Sequence, residues 1–61
     1  MDSTTLIKLL EANGWRLKRI NGSHHVFSNP ENIRNISVPH PRKDIAKGTL
    51  QGILKKANLK I

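Results

Sequence analysis

Trp15-Arg16-Leu17-Lys18-Arg19-Ile20-Asn21-Gly22-Ser23-His24-His25-Val26-Phe27-Ser28 is the stretch that decides the fold. Trp15 and Leu17 alternate with Arg16 and Lys18, the period-two pattern of a half-buried strand running to Ile20. Asn21-Gly22 is the strongest short hairpin signal, because a type I′ turn needs positive φ at both central residues. His24 to Ser28 reads as the return strand. Asn29-Pro30-Glu31-Asn32 has the composition of a second turn. Ile33 to Val38 then forms a third strand, stopped by Pro39 and Pro41, which cannot extend a ladder.

The hairpin register stays open. A two-residue turn at Asn21-Gly22 pairs Arg19 with His24 and Leu17 with Val26. A three-residue turn pairs Leu17 with Phe27 and Ile20 with His24. A one-residue slip inverts every side chain, and both registers give acceptable apolar pairs.

Working outward, Leu6, Leu9 and Leu10 share one stripe at i, i+3, i+4 spacing, which predicts a helix over 4–12. Asp2, Ser3 and Thr4 are all suited to cap it. Gly14 suits the left-handed position that ends it. On the far side, His40 to Lys47 reads as a polar, basic loop. Thr49, preceded by Gly48, is expected to cap a last helix with a Leu50, Ile53, Leu54, Ala57 stripe. Gly52 in that helix is expected to permit close packing on the sheet. Asn58 to Ile61 is the tail. Helix, strand, strand, strand, helix predicts an α+β domain, with two amphipathic helices covering one face of a three-stranded antiparallel sheet. A single domain over 1–61 is expected.

Composition bounds what such a domain does. Sixty-one residues carry 11 Lys+Arg against 4 Asp+Glu, a net charge of +7. A chain this short buries only about 60% of its unfolded surface, which leaves no room for a separate cofactor domain. Seventeen Leu, Ile, Val and Phe residues nevertheless argue for a folded chain. The absence of cysteine removes disulfides, thiolate metal sites and cysteine nucleophiles, and fits a reducing cytosol. No apolar run exceeds two residues, so neither a membrane span nor a signal-peptide core is expected. The positive excess makes a polyanion, and nucleic acid first, the expected partner.

Gly22-Ser23-His24-His25 is where chemistry is expected. Adjacent histidines on a strand point to opposite faces, so they do not readily share one metal ion. No metal and no cofactor is expected. Histidine moves protons near neutral pH. With Lys18 and Arg19 one strand away, it could hold a phosphodiester and stabilise the charge formed as it breaks. Metal-independent RNA cleavage needs only a base for the 2′-hydroxyl and cations for the phosphate; DNA lacks that hydroxyl and is excluded. Arg42, Lys43 and Lys47 form a second basic run suited to phosphate. His40 would join as a second proton carrier only if its loop folds back onto the hairpin. Trp15 and Phe27 read as core. A non-catalytic double-stranded-RNA-binding module is the alternative reading.

Four segments also resemble one family, in its order and across nearly the whole chain. They are Leu9 to Trp15, Gly22 to Phe27, Ser37 to Pro41, and Lys47 to Leu50 with Ile53-Leu54-Lys55. The sequence is similar to HicA-type toxins, the ribonuclease half of bacterial toxin–antitoxin pairs. The resemblance implies a double-stranded-RNA-binding-domain-like αβββα fold. It implies a cytoplasmic mRNA interferase that blocks translation until a HicB-type antitoxin masks it. It implies His24, the first histidine after Gly-Ser, as the catalytic residue, with Gly22, Ser23 and His25 in support.

Overall fold

The computed structural model describes residues 1–59; Lys60 and Ile61 of the expected tail lie outside them. The order is α1 (Ser3–Ala12), β1 (Arg16–Asn21), β2 (His24–Asn29), β3 (Asn32–Pro39) and α2 (Lys47–Lys56). The strands form one antiparallel sheet in the order β1-β2-β3. Leu6 and Leu10 of α1 and Ile53 of α2 bury against Phe27, Ile36 and Val38 of the sheet, with Trp15, Ile45 and Ala57 closing the cluster. This is the expected α+β, double-stranded-RNA-binding-domain-like architecture.

Asp2 caps α1, its Oδ1 accepting the Thr5 N–H at 2.9 Å. Hydrogen bonds from Thr5, first from its side chain, hold the Asp2 carboxyl below its usual range. Both helices end in the same way. Gly14, at φ +91, follows α1; Trp15 N–H reaches Leu10 O and Gly14 N–H reaches Glu11 O. Asn58, at φ +60, follows α2; Leu59 N–H reaches Leu54 O and Asn58 N–H reaches Lys55 O. Each is a Schellman closure that satisfies the last free carbonyls.

Three local expectations change. Thr49 is not the cap of α2, which begins two residues earlier after an extended Ala46 with no side-chain cap. Tertiary anchoring replaces local capping there: Ile45, read as part of a polar loop, is buried in the core. Gly52 does not pack on the sheet, since a Cβ added there meets nothing within 4 Å. And β1 is exposed along its whole length, with Leu17 at 48% and Ile20 at 59%. It is an edge strand, and the helices lie over β3 instead.

The hairpin register follows neither expected scheme throughout. Asn21 pairs with His24, Ile20 with His25 and Arg19 with Val26. The two loop residues are therefore Gly22-Ser23, with positive φ at Gly22 (+62) and not at Ser23. That is the type II′ pattern, which asks for glycine at the first central position only. A bulge at Lys18 then shifts the ladder so that Leu17 meets Phe27, as the second scheme has it.

Candidate functional site

The register assigns the faces. Phe27 and His25 point to the helix side, with Ile36 and Val38 opposite them on β3; His24 and Val26 point to the outer side. The adjacent histidines therefore separate as strand alternation requires. His24 is exposed. His25 is half-buried, and its Nδ1 is buried with no hydrogen-bond partner among the described residues.

His24 lines an open groove of ≈ 380 Å³ with Ser37, Pro39, Arg42, Ile45, Ala46 and Thr49. The groove lies where β2 begins, β3 ends and α2 begins. Arg42 supplies its cation, and Ser37 and Thr49 supply hydroxyls. Arg19 lies on the same outer face of β1, opposite Val26 and hence diagonal to His24. A phosphodiester beside His24 would thus meet a proton carrier, a guanidinium and polar hydroxyl groups together.

The other expected residues fall differently. Gly22 and Ser23 form the turn that delivers His24. Lys18 sits in the bulge, outside the regular ladder. Lys43 lines a separate hollow with Asp2, Ser3, Thr4, Pro41 and Arg42. Lys47 opens α2 and is exposed, but it does not line the His24 groove. Arg42 borders both hollows and links them.

The loop after β3 does fold back onto the hairpin. His40 N–H donates to Ser23 O at 2.8 Å. The His40 ring meets the His25 ring edge-on, with centroids 4.7 Å apart and planes at 80°. Its Nδ1 lies 2.7 Å from Ser3 Oγ. All three histidines therefore gather at one end of the sheet. Sequence reasoning missed Ser3, Ser37 and Thr49. Ser3 stood out only as one of three capping candidates, and its partners lie 37 and 39 residues away. Among the described residues, no group of three or more His, Asp or Glu side chains is placed to hold a metal ion.

Comparison with known proteins agrees with the sequence resemblance. The family model described as a HicA toxin of bacterial toxin–antitoxin systems matches residues 3–59. One chain of a solved HicA3 and HicB3 toxin–antitoxin complex is 40% identical, with a TM-score of 0.86; the match covers 100% of this chain and 98% of that one. Among curated proteins, none matches.

Proposed function

The chain belongs to the HicA toxin family of bacterial toxin–antitoxin systems, and from that premise we propose that it is a metal-independent endoribonuclease that cleaves mRNA and blocks translation in the cytoplasm. The observation that carries the proposal is the exposed His24 beside Arg42 in the groove at the sheet end. His24 takes the 2′-hydroxyl proton. Arg42 and Arg19 attract the phosphate and offset the charge that builds on it. Lys18, Lys43 and Lys47 add to the field that draws RNA in. Gly22 and Ser23 hold the turn.

A second reading of the base has its own observation. His25 packs against His40 and keeps one ring nitrogen inside the fold. It competes with His24 for the role, and single substitutions separate the two.

The masking partner is a HicB-type antitoxin. The solved relative is in a complex of HicA3 and HicB3, and a neutralising protein for this chain should cover His24, Arg42 and the exposed, cationic β1.

The test is RNA cleavage in EDTA by the purified protein, with product mapping. General acid–base catalysis by one group is worth ~10²–10⁴-fold. His24→Ala should lower the rate by about that factor, with an unchanged melting curve, and should relieve growth arrest on induction. Loss in His25→Ala with full activity in His24→Ala transfers the role to His25. RNA binding with no products would leave a non-catalytic RNA-binding module and end the nuclease reading.

A further inference from the structure

We propose that His40 is the second proton carrier of this site, the acid that protonates the leaving oxygen, and that Ser3 is the residue that positions it. The assignment rests on the endoribonuclease reading and names the group which that reaction still lacks.

Ser3 is the one buried polar residue among the described residues, only 1% exposed. Its backbone N–H donates to Arg42 O at 2.9 Å, and its Oγ accepts the Arg42 N–H at 2.9 Å. Its other contact is His40 Nδ1 at 2.7 Å. A serine hydroxyl has one proton. Its oxygen has two acceptor lone pairs: with the Arg42 amide on one, the other is free to accept the Nδ1–H of a protonated ring, and the hydroxyl is free to donate to Nδ1 of a neutral one. In the imidazolium, the form that acts as an acid, both ring nitrogens carry hydrogen, so Nδ1–H donates to Ser3 Oγ and Nε2–H is the proton to be given up. Among the described residues Nε2 has no protein partner, and it is not one of the buried unpaired atoms, so it meets solvent. Ser3 therefore fixes the ring from inside and leaves the proton-bearing nitrogen outside.

Backbone geometry brings this ring to the sheet end that carries both hairpin histidines, on the helix side with His25. His40 N–H is bonded to Ser23 O, and Pro39 pairs with His24, so His40 follows the last rung of the sheet, its ring on the helix face while the His24 side chain points to the outer face. The ring edge is held against His25 of β2. The charged and titratable groups around it are His25 and His24 from β2, Arg42 and Lys43 from its own loop, and Asp2 and the amino terminus from the segment beside Ser3. The Asp2 carboxylate is taken up by the Thr5 N–H, and the amino terminus lies 3.5 Å from Asp44.

The step balances without another reagent. The hairpin histidine removes the proton from the 2′-hydroxyl, and the 2′-oxygen bonds to phosphorus. The bond from phosphorus to the 5′-oxygen breaks, and that oxygen receives the Nε2 proton of the His40 imidazolium, which is left as a neutral ring with its hydrogen on Nδ1 against Ser3. The products are a 2′,3′-cyclic phosphate and a 5′-hydroxyl. Two histidines of opposite protonation then share the reaction, each worth ~10²–10⁴-fold.

The discriminating probe is an RNA oligonucleotide with the 5′-bridging oxygen replaced by sulfur at the linkage the unchanged protein cuts. A thiolate leaves without being protonated, so loss of the acid is forgiven and loss of the base is not. His40→Asn keeps a side-chain amide where Nδ1 stood, facing Ser3, and removes Nε2. It should slow cleavage of the oxygen linkage ~10²–10⁴-fold and cut the sulfur linkage at close to the unchanged protein's rate. Ser3→Ala should show a smaller loss on oxygen and the same recovery on sulfur. His24→Ala, or His25→Ala if that residue is the base, should be slow on both. Melting curves identify any variant that has lost its fold. A folded His40→Asn that cuts the oxygen linkage at full rate, or is equally slow on both substrates, overturns the assignment while the nuclease reading stands. If the unchanged protein cuts neither substrate, the nuclease reading falls and this assignment with it.

Discussion

β1 and β3 are both outer strands of one sheet, and both pair only with β2. They are nevertheless opposites. Ile36 and Val38 of β3 are fully buried, whereas every residue of β1 is exposed, Leu17 and Ile20 included. Hydrophobicity does not separate them, since both strands carry large aliphatic residues. Cover does. The helices lie over β3, and β1 is left with apolar and cationic side chains in water. The fold is thus stabilised on one side of β2 and free for contact on the other.

Substitutions can break that contrast. Ile36→Ala should show the largest effect, a loss of about 2–5 kcal/mol in denaturant unfolding, enough to unfold a chain this small. A loss near zero would mean that β3 is not the covered strand. Gly22→Ala comes next. The turn joins β1 to β2 with positive φ, and a Cβ there should cost about 1–2 kcal/mol although space around it is open. Gly52→Ala tests the cover itself. If α2 met β3 through Gly52, alanine would clash and destabilise; since a Cβ meets open space, it should instead stabilise by ~1 kcal/mol. The smallest effect belongs to Leu17→Ser, within about 0.5 kcal/mol. A cost of several kcal/mol there would show that β1 is packed after all.

The same contrast marks how far the sequence could be read. Signals carried by neighbouring residues were legible: the Leu6, Leu9, Leu10 stripe, Gly14 at a helix end, and the separation of His24 from His25. Position in space was not. Alternation in Trp15 to Ile20 announces a strand but cannot say that it will be an edge outside the helices. The bulge at Lys18 and the Gly22-Ser23 loop depend on how two strands settle against each other, so neither simple register held. Ile45 looked like a loop residue because only tertiary contact makes it core. At the site, the residues themselves left His24 and His25 open, and only the family resemblance pointed to His24. Ser3 could not be chosen from its neighbours, because its partners lie 37 and 39 residues away.

That distance also sets when the site can exist during synthesis. Chains emerge amino terminus first and fold as partners become available. Ser3 is made before His40 and Arg42 and waits for them before its hydroxyl and amide have these partners to bind. Met1 O waits in the same way for the Ile45 N–H. A growing chain can complete its hairpin with His24 in place well before this clasp closes. The arrangement of His24, Arg42 and His40 therefore forms late, and nascent fragments that stop short of residue 40 lack it.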